Sequence, residues 1–90
     1  MIMVDEDFVY VTNSLNRIDI VYLLDAIDAA RNYEVADILC LTPANVLLLA
    51  DGLNEHGIID STKVGKSRIY SLTQKGKQIA NKLRDYHGIR

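Results

Sequence analysis

The 90-residue chain has little of several things: one cysteine, one proline, no tryptophan and only five glycines. The single cysteine, Cys40, cannot form an internal disulfide, so a reducing cytoplasm is the simple expectation. No apolar run approaches the roughly 20 residues that cross a bilayer, and the start lacks a basic segment followed by an apolar stretch. We therefore predict a cytoplasmic protein with no membrane segment.

Metal-binding residues are equally scarce. His56 and His87, taken together with Cys40, are too few and too scattered along the chain for a metal cluster. A lone histidine at a helix end is more often a polar cap, and we interpret His56 in this way. Cys40 is expected to be a small buried residue, with a redox switch as the less favoured alternative. We predict no metal and no cofactor.

Catalytic patterns are also missing. The sequence has no phosphate-cradling glycine loop and no nucleophile motif. Three carboxylates of one predicted helix are expected to be solvated or paired with arginines of that helix rather than catalytic. These acids are Asp19, Asp25 and Asp28, and the arginines are Arg17 and Arg31. The chain is therefore not expected to be an enzyme.

Charge is divided unevenly along the chain, although the net charge is only −2. Residues 1–60 carry eleven acidic and two basic side chains, whereas residues 61–90 carry eight basic side chains and one acidic, Asp85. The last third can therefore present a basic surface, which we expect to lie on residues 63–84. Composition alone leaves open that one end of a small acidic protein merely happens to be basic.

The chain has no linker and no repeat, and 49% hydrophobic residues suit one compact domain. We predict a mobile acidic leader at residues 1–7 and a single domain at residues 8–90. The run Phe8-Val9-Tyr10-Val11 is rich in strand formers. Asn13 or Ser14 then caps a long helix that ends near Arg31. Because that helix is apolar on more than one stripe, one face is expected to pack on the core and another on a partner.

The middle of the chain predicts a helix-turn-helix. The segment Tyr33–Leu39 has helical spacing, and Thr42-Pro43 is a strong helix start because threonine caps free N–H groups and proline at the first position loses no hydrogen bond. The next helix runs from about residue 43 to 56, and Gly57 suits the left-handed conformation that ends helices. A rival interpretation is a buried strand at Val46–Ala50, but the Thr-Pro start favours the helix.

The last third predicts a hairpin and a final helix. Ile58–Val64 and Arg68–Leu72 read as two antiparallel strands about the turn Val64-Gly65-Lys66-Ser67, giving a wing at about residues 58–72. Thr73 caps a helix at about residues 74–86, whose apolar seam suits packing against another helix. The seam consists of Ile79, Leu83 and Tyr86 with Ala80 beside it.

Four segments resemble those of winged-helix regulators of the ArsR/MarR-like kind, particularly small archaeal ones. They are Tyr10–Arg17, Val35–Leu39, Leu53–Ile59 and Arg68–Gly76. The most specific signal combines a leucine separated by three residues from Gly-Ile-Ile with Tyr-Ser-Leu-Thr-Gln-Lys-Gly beyond a short hairpin. The resemblance implies an α+β, mostly helical winged helix-turn-helix that binds double-stranded DNA as a homodimer and regulates transcription.

The resemblance also implies that helix 43–56 enters the major groove while the wing reaches the neighbouring backbone. We expect Val46, Leu49, Ala50 and Leu53 to face inward, and Ala44, Asn45, Leu47, Leu48, Asp51 and Glu55 to face outward. The candidate DNA-binding residues are Thr42, Ala44, Asn45, Leu48, Lys63, Lys66, Ser67 and Arg68. Asn45 would read an adenine edge, Leu48 or Ala44 a thymine methyl, and the wing cations would contact phosphates.

Two alternatives stay open. The outward face of helix 43–56 has no Lys or Arg, and Asp51 and Glu55 would repel phosphates, so Leu47 and Leu48 could instead bind a protein. The lysines of the hairpin could then serve solubility alone. For the homodimer, we expect the surface to combine the long first helix, the Phe8–Val11 segment and the last helix.

Overall fold

The computed structural model describes residues 5–87 of the chain, with side chains up to residue 85. The helices of this range are α1 (Glu6–Thr12), α2 (Leu15–Ile27), α3 (Asn32–Leu39), α4 (Pro43–Glu55) and α5 (Gln74–His87). The strands are β1 (Ala29–Arg31), β2 (Ile59–Val64) and β3 (Ser67–Leu72). The predicted winged helix-turn-helix is confirmed, and α1 and β1 are added to it.

The apolar run Phe8–Val11 lies in α1, so its interpretation as a strand-forming segment is wrong. The Asp5 side chain caps this helix by accepting hydrogen bonds from the backbone N–H groups of Asp7 and Phe8, and Glu6 and Asp7 occupy the first turn. Carboxylates at a helix N-terminus favour the helix because its free N–H groups carry partial positive charge. The predicted boundary of the leader at residue 7 therefore falls inside α1, and residues 1–4 lie outside the described part.

The helix capped by Ser14 ends four residues earlier than predicted. Ser14 Oγ accepts a hydrogen bond from Arg17 N, which confirms the cap. At the other end, Asp28 has a φ of 70°, a left-handed conformation that stops α2 after Ile27. The next three residues form β1, which pairs with β3 so that Ala30 lies opposite Tyr70. Pairing with a strand 40 residues away gave no local signal in the sequence.

The helix-turn-helix is confirmed in detail. Thr42 Oγ1 accepts a hydrogen bond from Asn45 N at 3.1 Å, and Pro43 is the first residue of α4. The axes of α3 and α4 are bent by 112°, within the usual range for this motif. At the end of α4, Gly57 has a φ of 71°, and Ile58 N donates to Leu53 O at 2.9 Å. This is a Schellman-type ending, and it excludes the rival strand at Val46–Ala50.

The wing is a two-residue hairpin. β2 and β3 pair antiparallel with Val64 opposite Ser67, so Gly65 and Lys66 make the turn. Gly65 has a φ of 61° at the first central position, as hairpin turns of this length require. The three strands form one sheet in the order β1-β3-β2.

The core lies between α2, the sheet and the other helices. α2 packs against α1, α3, α4, α5 and the sheet, which explains why its apolar residues occupy more than one stripe. The largest fully buried side chains of the described residues are Tyr70, Ile20, Leu24, Leu53, Ile58, Ile59, Ile79, Leu83, Val11, Val21, Val35 and Val46. Ile79, Ala80 and Leu83 of the predicted seam on α5 are thus buried inside the chain, while the Tyr86 side chain lies outside the described part.

Gly76 and Thr73 set how closely α5 approaches the wing. Thr73 Oγ1 accepts a hydrogen bond from Gly76 N at 3.0 Å, which confirms the predicted cap, and lies 2.6 Å from Gly57 O. A Cβ at Gly76 would clash with the backbone oxygen of Ile58. Only glycine therefore allows the first turn of α5 to lie against the start of β2.

Candidate nucleic-acid interface

The outward face of α4 has the composition that the sequence predicted. Val46, Ala50 and Leu53 are buried, and Leu49 is half-buried against the core. The predicted outward residues are all exposed, Leu48 by 73% of its surface; the set is Ala44, Asn45, Leu47, Leu48, Asp51 and Glu55. The face therefore begins with small, amide and apolar side chains and ends with two carboxylates.

The wing supplies the cations. Lys63 and Lys66 are exposed and make no ion pair or hydrogen bond with other described residues. The register places Lys63 directly opposite Arg68, and two like charges at such a cross-strand position repel each other. Ser67, beside the turn, is half-buried. The wing tip thus presents a concentrated positive charge.

Arg68 points from the wing toward α4. Its Nη1 lies 3.9 Å from Asp51 Oδ1 and 3.4 Å from Ser61 Oγ. Both side chains of the Arg68–Asp51 pair remain about half-exposed, at 44% and 50%. Asp51 is therefore a counter-ion for Arg68 within the candidate interface, a contact that no local pattern in the sequence signals.

A groove of about 240 Å³ separates the wing tip from the helices. It is lined by Asn32, Tyr33, Leu47, Lys66, Ser67 and Arg68. The groove brings Lys66, Ser67 and Arg68 of the predicted site together with Leu47, the neighbour of Leu48 on α4. Sequence reasoning missed Asn32 and Tyr33, which reach this surface only because α3 begins directly after β1.

A relay of two hydrogen bonds, one part-buried and one exposed, links the wing to α4. The hydroxyl of Tyr70 donates to Asn32 Oδ1 at 2.7 Å, and Asn32 Nδ2 donates to Pro43 O at 3.1 Å. Burial raises the pKa of Tyr70, which Asp51 also raises and Arg68 lowers. Since β3 carries Tyr70 and Pro43 starts α4, the relay links the strand that holds Arg68 to the helix that holds Asp51.

Three of the four described basic residues of α5 form ion pairs with acidic residues of the chain. Lys75 pairs with Asp7 at 2.9 Å and Lys82 with Asp5 at 3.1 Å, while Arg84 pairs with Asp25. The pKa of the Asp7 carboxyl is lowered by Lys75 and then by His56, and that of Asp5 chiefly by Lys82. Within the predicted basic surface on residues 63–84, the described cations without an ion pair are therefore Lys63 and Lys66 on the wing and Lys77 on α5.

The pairing expected along the first helix is also wrong. Asp25 pairs with Arg84 because α5 packs on α2, and Arg17 instead donates to Tyr10 O at 2.8 Å, with its guanidinium 3.8 Å from the centre of the Tyr10 ring. Asp19 and Asp28 are exposed, as the solvated alternative expects.

Residues singled out for other chemistry lie elsewhere. His56 caps the end of α4; its Nδ1 lies 3.0 Å from Asp7 Oδ1 and its ring stacks on Tyr10. Cys40 is exposed, so the prediction of a buried cysteine is wrong; it ends α3 with a φ of 57°. Among residues 5–87, no group of three or more His, Cys, Asp and Glu is placed to hold a metal ion.

The length and hydropathy of the described helices bear on membrane spans. No single helix among them combines the length and hydropathy needed to cross a bilayer. Only α3 and α4 taken together reach both, by length and composition alone, across their 112° bend.

Comparison with solved structures identifies the fold. YusO from Bacillus subtilis aligns over 80% of this chain and 53% of its own, with a TM-score of 0.76 and 21% identity. A variant of ZitR from Lactococcus lactis aligns over 83% and 53%, with a TM-score of 0.73 and 26% identity. A variant of MarR from E. coli, in complex with operator DNA, aligns over 80% and 54%, with a TM-score of 0.74 and 12% identity.

No protein-family model and no curated protein matches the sequence. The chain spans about half the length of the three structures described above. The archaeal character of the sequence resemblance stays a prediction, since these three structures are bacterial. In fold, the chain is a winged helix-turn-helix similar to that of MarR-family structures.

Proposed function

We propose that the chain is a DNA-binding transcriptional regulator that reads duplex DNA with α4 and the wing. The observation that carries the proposal is the groove in which Lys66, Ser67 and Arg68 of the wing face Leu47 of α4. A helix and a hairpin that share one surface suit a duplex, since the helix fits the major groove and the hairpin reaches the adjacent backbone. The E. coli MarR structure with operator DNA supports the same role for this fold.

The side chains of the wing and of α4 suit different parts of the duplex. Lys63, Lys66 and Arg68 neutralise phosphates and supply most of the affinity, because release of counterions from DNA dominates binding. At the start of α4, Asn45 is placed to pair with an adenine edge, and Ala44 and Leu48 to contact thymine methyls. Thr42 holds the first turn of α4, where free N–H groups can meet a phosphate. Ser67 adds a hydroxyl to the phosphate contacts.

Dimerisation is the second part of the proposal, since two-fold DNA sites are read by two copies of such a domain. The faces first expected to pair are largely occupied inside the chain: Val11 of α1 and Leu83 of α5 are fully buried. A homodimer must therefore use apolar side chains that stay exposed, of which Val9 (41%) and Leu15 (79%) lie at the N-terminal end of the described chain.

Salt-dependent binding to duplex DNA tests the proposal. For the native chain, we expect affinity for a mixture of genomic fragments to fall steeply as salt is raised. Lys66→Ala with Arg68→Ala should make the slope shallower by about 1 to 2, because each lost phosphate contact removes about 0.9 from it and Arg68 is shared with Asp51. Lys77→Ala with Lys82→Ala is the matched control, since it removes two cations from α5 and should change the slope little. A native chain that binds no duplex at low salt would contradict the proposal.

A protein-docking role is the second candidate, because the exposed Leu48 and Leu47 lie beside the carboxylate of Asp51 on a face without cations. The two roles differ in what Leu48 touches. If it contacts thymine methyls, replacing thymine by uracil in the bound duplex should weaken binding by the native chain, and Leu48→Ala should remove that difference. If Leu48→Ala leaves both affinity and the thymine-to-uracil effect unchanged, Leu48 does not read thymine, and the protein-docking role becomes the favoured one for the leucine face.

A further inference from the structure

The contact between Arg68 and Asp51 places an anion where the proposed interface would place a phosphate. Arg68 Nη1 lies 3.9 Å from Asp51 Oδ1, and Arg68 also lines the groove between the wing and α4. A carboxylate and a phosphate present similar pairs of oxygens to a guanidinium, so they are alternative partners for the same group. A phosphate that enters the groove must therefore compete with Asp51 for Arg68.

The geometry of this competition is set by the fold rather than by flexible side chains alone. The relay from Tyr70 through Asn32 to Pro43 joins β3 to the start of α4 at 2.7 and 3.1 Å. Arg68 lies two residues before Tyr70 on β3, and Asp51 lies two turns into α4. The relay thus keeps the backbone of β3 at Arg68 near the helix that holds Asp51.

A purely stabilising role explains the pair poorly. Both side chains are about half-exposed, and exposed ion pairs at this separation contribute little to stability because water and salt screen them. The larger consequence is electrostatic. The wing has three cations, Lys63, Lys66 and Arg68, and Asp51 offsets one of them on the surface where DNA would bind.

We propose that Asp51 is a specificity-determining residue that competes with DNA phosphate for Arg68 and so weakens binding to arbitrary sequences. The inference rests on the proposed function. Binding to arbitrary duplex depends almost wholly on phosphate neutralisation, so an internal competitor lowers it directly. At a cognate site, base contacts hold α4 in register and favour transfer of Arg68 from Asp51 to the backbone. Asp51 thereby widens the gap between cognate and arbitrary DNA.

Anisotropy titrations of a labelled random-sequence duplex against salt test the inference. Asp51→Asn should raise affinity by about three- to tenfold at low salt and steepen the salt slope by up to about 0.9, the value of one complete phosphate contact. Glu55→Gln is the matched control, because it removes the same charge from the same exposed face of α4, one turn further along and without an ion pair to Arg68. It should produce a clearly smaller gain.

A mutant cycle isolates the role of Arg68. In an Arg68→Ala background, Asp51→Asn should give no more gain than Glu55→Gln, since the group for which Asp51 competes is gone. Equal gains from the two acid substitutions in the native background, or a gain from Asp51→Asn that survives Arg68→Ala, would overturn the inference while leaving the proposed function intact. If the native chain and every variant fail to bind at low salt, the proposed function itself fails. Urea midpoints of all variants check that the fold is retained.

Discussion

Tyr70 shows how much a single polar atom contributes to the interface. Its side chain is fully buried, and its hydroxyl donates to Asn32 Oδ1 at 2.7 Å. Tyr70→Phe removes this donor and leaves Asn32 Oδ1 without it, so the free energy of unfolding should fall by about 1–2 kcal/mol, measured by urea denaturation. Tyr33→Phe is the control, because Tyr33 is 57% exposed and should change stability by less than about 0.5 kcal/mol. Equal losses from both variants would contradict the role of the relay.

Asp7 predicts a dependence of stability on pH. Lys75 and then His56 lower the pKa of its carboxyl below the ordinary 3.8, so the folded state favours the ionised form. The resulting stabilisation is complete above the ordinary pKa and is lost as the pH falls through the lowered one. Asp7→Asn should therefore reduce stability at pH 6, and its deficit should shrink steadily below pH about 4.

Urea midpoints of the native chain and Asp7→Asn between neutral and acid pH measure this effect. Glu6→Gln on the same turn of α1 is the control, since Glu6 is exposed and forms no ion pair with another described residue. A deficit of Asp7→Asn that stayed constant into acid would show that the charge of the carboxylate is not its source.

Features that depend on neighbouring residues could be predicted from the sequence, whereas contacts between residues far apart in the chain could not. The caps at Ser14, Thr42 and Thr73 depend on residues within three positions, and all three are confirmed. The Arg68–Asp51 pair and the Tyr70–Asn32 bond join residues 17 and 38 positions apart. Their partners are chosen by packing, which no spacing in the chain reveals.

At the scale of elements, composition gave a wrong prediction for a short apolar segment that can form either a helix or a strand. Phe8–Val11 is rich in strand formers, but capping by Asp5 and packing against α2 make it helical. β1 has only three residues and exists through its pairing with β3. The longer elements carried their own signals, so α3, α4, β2, β3 and α5 were predicted to within about two residues of their observed ends, within the usual error for element boundaries.

α1 and α4 meet at Gly52, which makes this glycine testable. Glycine inside a helix normally costs about 1 kcal/mol relative to alanine, so Gly52→Ala would ordinarily stabilise α4. Here a Cβ at residue 52 would clash with the hydroxyl oxygen of Tyr10, whose ring also contacts His56 and Arg17. We expect Gly52→Ala to lower the free energy of unfolding by about 1–3 kcal/mol.

Tyr10→Phe provides the matched background for this prediction. Without the hydroxyl, the added Cβ would meet Cζ of the ring at 3.4 Å, which is ordinary van der Waals contact. Gly52→Ala should then become neutral or stabilising, so the two substitutions are strongly non-additive in urea denaturation. Additive effects would contradict the packing of α1 against α4 through this pair of residues.

At the scale of the whole molecule, the fold separates the cations of the basic last third into two groups, one paired with acidic side chains at α1 and α2 and one not. The acidic first two-thirds contributes Asp5, Asp7 and Asp25, which pair with cations of α5 and help to join the two ends of the chain. Of the other described cations of the basic third, Lys63, Lys66 and Arg68 lie on the wing and Lys77 lies on α5. Counting charges along the sequence identified the basic last third. It could not separate paired from unpaired cations, because the pairing depends on α5 lying beside α1 and α2.

Because the number of wing cations per chain is known, the slope of log affinity against log salt measures how many copies of the chain bind one duplex. With three wing cations per chain, one bound copy should give a slope of log affinity against log salt of about −2.7, and two copies about −5. For the proposed homodimer, we expect the steeper slope, two chains per duplex by sedimentation, and half-sites about 10 base pairs apart.

Leu15→Glu checks the surface assigned to the dimer, because Leu15 is 79% exposed and its loss should not disturb the core. If that surface joins two copies, the variant should sediment as a monomer and bind with the shallower slope while retaining the native urea midpoint at low concentration. A native chain that is monomeric at micromolar concentration, and binds one copy per duplex with a slope near −2.7, would contradict the homodimer. It would leave DNA reading by α4 and the wing in place, because those contacts belong to a single chain.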